Sequence, residues 1–187
     1  METKTVYFDN TGAENTNEVL RIARQRAQEL GIKTILVAST TGDTALKAMD
    51  VLKGFNVVAV SWATGLREPN VQKFTEEKRK IVESKGGKVL TTSHAFGGVS
   101  AAMREKFATH TIGDIIANTL RVFGHGMKVA CEISLMAADS GLVRTDEDAI
   151  AIGGRSSGAD TAILVRPANS SAFFDLKVRE ILCKPRL

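Results

Sequence analysis

A doubly wound, three-layer α/β/α sandwich with a mostly parallel sheet is the fold this sequence predicts, and three observations carry the prediction. Short apolar runs rich in β-branched residues, at 35–37, 57–60, 88–92 and 149–152, alternate with stretches of helical period. These runs are continuous rather than alternating, as in strands buried on both faces. Each ends in a loop of small, hydroxyl-bearing or glycine residues, the usual exit of a strand into a crossover helix.

Taken in order, Val6, Tyr7 and Phe8 predict a first short strand, ended by Asp9-Asn10-Thr11-Gly12. Asn15, with Glu18 three residues on, opens a helix on which Val19, Ala23, Ala27 and Leu30 form a stripe and which Gly31 stops. The segment 34–49, TILVASTTGDTALKAM, is the unit around which the chain is arranged: a strand, the turn Ser39-Thr40-Thr41-Gly42, and a helix from Asp43 and Thr44 with Ala45, Ala48, Met49 and Leu52 on one face. Strand 57–60 ends in Ser61-Trp62-Ala63-Thr64-Gly65, and Thr75 caps a charged helix that Gly86-Gly87 closes. Strand 88–92 runs into Ser93-His94-Ala95-Phe96-Gly97-Gly98. Ser100 and Thr111 open two helices, the second carrying Asp114 in its first turn and ending at Gly124-His125-Gly126. A strand is expected over 128–133, then helix-compatible residues over 134–140 closed by Gly141. Strand 149–152 leads through Gly153-Gly154-Arg155-Ser156-Ser157-Gly158 to strand 161–165, close enough to pair antiparallel. The tail, 172–183, mixes apolar and charged residues and predicts no definite element.

The 187 residues suit one domain with a substantial core. Basic residues number 25 against 21 acidic ones and are scattered among them, so no nucleic-acid footprint is expected. No apolar run has the length of a membrane span, and Met1 leads into a strand-like segment rather than a signal peptide, which predicts a cytoplasmic protein. Cys131 and Cys183, each in a strand-like apolar context and without a CxxC spacing, are expected as buried free thiols. His94, His110 and His125 are not spaced as zinc ligands, and no structural metal is expected.

The 39–44 turn is the leading candidate site. A strand–turn–helix start points unpaired backbone N–H groups and the positive end of a helix dipole at one spot, where a phosphate is favoured, and Gly42 lets a ligand approach the backbone. The turn is neither a Walker loop nor a three-glycine dinucleotide turn. Turn and cap chemistry alone, with Asp43 or Thr41 capping its own helix, explains the same residues.

The run VASTTGDTALKA resembles the first phosphate-binding turn of the C-terminal allosteric domain of pyruvate kinase, and EDAIAIGGRSSGADTAILV is similar to that domain's last hairpin with its glycine-rich effector loop. The two matches fall in the same order. The catalytic barrel of that enzyme has no counterpart here. A closer likeness, over nearly the whole chain, is to stand-alone archaeal proteins described as pyruvate kinase C-terminal-domain-like, through FGHGMKVACEISLMAADSG and GGRSSGADTA. Members of that family look like binders of flavin mononucleotide (FMN) with no assigned activity. The resemblance implies a strand order 3-2-1-4-5, counted from the strand at 34, with the last strand antiparallel. The 39–44 turn and the 153–160 loop would then flank one crevice.

With that geometry, Ser39, Thr40, Thr41 and Thr44 offer hydroxyls, and Gly42, Asp43 and Thr44 offer N–H groups, with the Asp43 carboxylate turned outward. The loop Gly154, Arg155, Ser156, Ser157 and Gly158 faces them, and Arg155 supplies countercharge or is simply solvated. Thr64 joins the candidate set from the loop after the second strand. His94, Phe96 and Gly97, together with Met136, flank a planar ring or pack their own loop. Glu132, if buried in its apolar run, needs a partner or a raised pKa and is a candidate for ligand contact or acid/base work; otherwise it is a partly exposed strand end. Three functions stay open: an FMN-binding protein, with or without oxidoreductase activity; a non-catalytic sensor of a phosphorylated metabolite; and a small phosphosugar hydrolase or transferase. Whether copies of the chain assemble into a homo-oligomer also stays open.

Overall fold

The computed structural model describes residues 2–187. Its seven strands form one sheet in the order β1-β7-β6-β5-β2-β3-β4. The strands are β1 (Val6–Phe8), β2 (Thr34–Ala38), β3 (Asn56–Ser61), β4 (Lys88–Thr91), β5 (Ala149–Gly153), β6 (Thr161–Arg166) and β7 (Lys177–Pro185). The expected five-strand order is present as β4-β3-β2-β5-β6, with β6 antiparallel to β5. Two strands extend it: β7 pairs antiparallel with β6, and β1 pairs parallel with β7. The tail thus supplies an edge-side strand whose first three residues, Lys177 to Arg179, are exposed, which breaks the apolar run that marks the central strands.

Residues alternate between two core layers. Ile35, Val37, Val57, Ala59, Ile150 and Ile152 face α1 (Thr16–Leu30), α2 (Asp43–Val51) and α3 (Glu76–Ser84). Leu36, Val58, Val60, Ala151 and Ile163 face α6 (His125–Asp139). Two further helices, α4 (Gly98–Phe107) and α5 (Ile112–Arg121), follow β4, and α5 packs on α6. Local signals behave as expected at two helix starts. The Thr75 hydroxyl accepts from Lys78 N, and Thr111 with Asp114 makes a reciprocal capping box.

The expected strand at 128–133 is instead the first half of α6, so Cys131 and Glu132 sit on a helix. The reason is physical. The helix lies between the sheet and α5, twelve of its residues are buried, and its residues lack the single apolar stripe that separates a helix from a fully buried strand. For the same reason His125 does not stop a helix but opens one, after Gly124 at φ +117°. Both cysteines are buried and free, and burial pushes each thiol up to about 12, which makes them poor nucleophiles. Among the described residues, no helix is long and apolar enough to cross a membrane.

Candidate functional site

Strand order reverses between β2 and β5, whose carboxyl ends lie side by side through the pairing of Val37 with Ile152. Ligands of open α/β sheets bind at such a point. A cleft of about 860 Å³ opens here, within the range of small-molecule sites. It is lined by the 39–44 turn, the 154–158 loop, the β4–α4 loop, one side of α5 and the first three turns of α6.

The turn is held by its own atoms. Ser39 N donates to Val60 O, and Ser39 Oγ accepts from Ala45 N at 3.1 Å, which leaves the hydroxyl proton to be donated elsewhere. The first backbone bond of α2 runs from Leu46 N to Gly42 O, so the N–H groups of Thr41 to Thr44 have no partner within the helix. Thr40 and Thr44 line the cleft. Thr41 spends its hydroxyl on Asp43 Oδ2 at 2.6 Å, and Asp43 Oδ1 accepts from Lys78 Nζ at 2.6 Å. The bonds from Lys78 and Thr41 hold the Asp43 carboxyl below its ordinary range, turned toward α3; it accepts from side chains and does not cap α2.

Gly42 departs from its expected role. It has φ +92°, and a Cβ there would meet the Lys78 side chain at 2.8 Å and the Phe74 ring at 3.1 Å. Its missing side chain therefore faces α3, and glycine is required by the turn and by that packing rather than by an approaching ligand. Gly97, expected beside a planar ring, faces its own loop instead, since an added Cβ would meet His94 Cβ at 3.0 Å. Thr64 lies outside the cleft lining, near Gln72 Nε2 at 3.4 Å.

Opposite the turn, the 154–158 loop is folded tightly back on the first helix. Gly12 N donates to Asp160 Oδ2, Ala159 N to Thr16 Oγ1, and Gly158 at φ +71° abuts Ala13. Arg155, Ser156 and Ser157 remain exposed at its tip beside the cleft. Gly126 and Gly153 allow the start of α6 to press against the β5–β6 hairpin, so a second helix N-terminus opens at the same place.

Charge is uneven. Arg67, Lys73, Arg104, Arg121, Lys128 and Arg155 line the cleft against three carboxylates, and each carboxylate is already paired: Asp43 with Lys78, Asp114 with Arg104, Glu132 with Lys128. His125 registers this field. Burial lowers its pKa from 6.5, and Arg121, Lys128 and Arg155 lower it further.

At the far end sits a buried polar set that the sequence indicated only through Glu132 and His94. Glu132 is 2% exposed; its Oε1 accepts from Phe96 N at 3.0 Å, and its Oε2 accepts from Lys128 Nζ and lies 3.5 Å from His94 Nδ1. Burial pushes this carboxyl up, but the His94 contact and the Lys128 ammonium prevail and hold it down at about 2. The expected raised pKa is therefore reversed, because the desolvated carboxylate is fully partnered. His94 Nε2 is buried without a partner, at a cost of about 1–3 kcal/mol for such a group. Phe96 and Met136 line the cleft but are 5% and 2% exposed, and Phe96 packs edge-on against Phe173 at 5.9 Å. They are mainly core residues.

The aromatic surface that sequence reasoning missed is Trp62, half-buried on the cleft wall with Arg67 5.5 Å and Lys73 5.4 Å from its ring centroid. Its signal was present: the chain's one tryptophan, directly after a strand and followed by two cations.

With this geometry in place, the sequence matches the pyruvate kinase alpha/beta domain family over residues 17–165. The chain belongs to that family. Among solved structures, a pyruvate kinase of Cryptosporidium parvum is 16% identical over 82% of this chain and 23% of its own, with a TM-score of 0.43. The same organism's enzyme in complex with ADP is 16% identical over 82% and 24%, with a TM-score of 0.42. An O-ureido-L-serine synthase is 17% identical over 69% and 48%, with a TM-score of 0.32. The chain thus spans about a quarter of the length of those pyruvate kinases.

Proposed function

We propose that this domain binds a phosphorylated ligand, with FMN as the ligand that its cleft suits best. The observation that carries the reading is the meeting of the 39–44 turn and the 154–158 loop after adjacent strands, in a cleft where cationic side chains outnumber carboxylates two to one. The residues fit the group. Ser39, Thr44, the N–H groups of Thr41 to Thr44, and Arg155 would hold the phosphate. Trp62, half-buried on the cleft wall, offers a planar ring its apolar surroundings, with Phe96 and Met136 behind the wall as core. FMN, when bound, supplies electron and hydride transfer. The chain's own part is to bind, to orient and to neutralise charge.

A non-catalytic sensor of a phosphorylated metabolite is the second reading. It is favoured over a hydrolase or transferase because every carboxylate on the cleft wall is held in an ion pair. The test is the absorption spectrum of the purified protein, before and after incubation with FMN and removal of the free cofactor. Flavin bands that stay with the protein support FMN. A colourless protein that takes up none removes FMN and leaves the sensor.

A further inference from the structure

Glu132 and His94 form a unit whose chemistry is directional. A carboxylate held ionised can only accept, and two of its three neighbours, Phe96 N–H and the Lys128 ammonium, can only donate. The third neighbour, His94 Nδ1, lies 3.5 Å from the carboxylate and can approach it favourably only as a donor; in the Nδ1–H tautomer the imidazole lone pair is on Nε2. Nε2 is the one buried side-chain nitrogen or oxygen among the described residues with no hydrogen-bond partner. His94 lines the cleft, on the β4–α4 loop that Glu132 also fastens through Phe96.

We propose that His94 is the specificity-determining acceptor of this cleft: Glu132 fixes it as the Nδ1–H tautomer, and Nε2 receives a hydrogen bond from an N–H or O–H group of the ligand. This rests on the phosphorylated-ligand reading and adds to it. The ligand carries, beyond its phosphate, a hydrogen-bond donor at the end that meets the β4–α4 loop. Nε2 shows no surface to solvent, so the proposed contact requires the β4–α4 loop to shift when the ligand binds. A ligand lacking the donor leaves a buried acceptor unpaired, and such mismatches discriminate more sharply than lost apolar contact. Glu132 is a positioning residue here and does not itself touch the ligand.

The test is ¹⁵N NMR of histidine-labelled protein, with His94 identified among three histidines by His94→Asn and with FMN as the probe. Backbone amides of residues 41–44 are followed in parallel. The parent should show His94 as the Nδ1–H tautomer, and FMN should move both its Nε2 resonance and the 41–44 amides. In Glu132→Gln, with the amide oxygen kept on Phe96 N–H, the NH₂ group takes the place of Oε2 and faces Nδ1. The tautomer should reverse and FMN affinity should fall about tenfold, with the melting transition still cooperative. An Nε2–H tautomer in the parent, or an Nε2 unmoved while the 41–44 amides respond, overturns the assignment of His94 and leaves the binding reading intact. If FMN moves neither His94 nor the 41–44 amides, the binding reading fails and this inference fails with it.

Discussion

At the carboxyl end of β2 the cleft is shaped by the 39–44 turn, whose hydroxyls and N–H groups follow one another in sequence and whose bonds are mostly to its own neighbours. The far end of the cleft is made by Lys128, Glu132 and His94, which meet only because α6 packs under the β4–α4 loop. The first end is wet, its Asp43 pair largely exposed; the second is dry. Exposed pairs contribute little and are screened, whereas a buried ion is costly once its partner is removed. Apart from Gly42, which the packing against Lys78 and Phe74 requires, the turn should therefore be editable with effects mainly on binding, while the buried set couples binding to the fold.

The largest expected effect comes from the dry end. Glu132→Ala strands the Lys128 ammonium and Phe96 N–H and should destabilise the domain by about 3–5 kcal/mol in urea denaturation. A loss below 1 kcal/mol would mean that the network is not holding the loop to α6. The same network sets an acid limit. Glu132 is held at about 2 in the folded state against an ordinary 4.5, so its contribution is fully present above 4.5 and is lost as pH falls from 4.5 toward 2. Glu132→Gln should flatten stability in that window, measured by thermal melting against pH.

At the wet end, Gly42→Val meets a positive φ and the Lys78 and Phe74 side chains together, and should destabilise the fold by ~1–3 kcal/mol. Gly42→Val with an unchanged melting temperature but weakened FMN binding would restore a direct ligand role to this glycine. Arg155→Ala should have the smallest effect on the fold, within about 0.5 kcal/mol. It should lower FMN affinity and flatten its dependence on salt. An unchanged salt profile in calorimetry would make Arg155 a solvated side chain only.

The contrast between the two ends also explains what was legible. The helix caps at Thr75 and Thr111 and the 39–44 turn rest on short-range chemistry that a sequence displays, whereas the central five-strand order was legible only through the resemblance to the pyruvate kinase domain. Helix α6 was misread because burial on both faces erases the amphipathic period. Glu132 and Lys128 are an i,i+4 pair, a helical signature that the strand reading concealed. Trp62 was passed over because its place on the wall depends on where β3 lies beside the other strands, which no local pattern states.

The central claim is that one cleft holds a phosphate at the 39–44 turn and a planar ring near Trp62. Since Trp62 is the chain's single tryptophan, its fluorescence during titration with FMN tests that claim most directly. The account predicts saturable quenching that inorganic phosphate reverses competitively and that vanishes in Trp62→Phe, whose FMN binding persists by calorimetry. Emission that is unchanged apart from the linear loss due to FMN absorbance, in a protein that calorimetry shows to bind FMN, would place the ring elsewhere and contradict it.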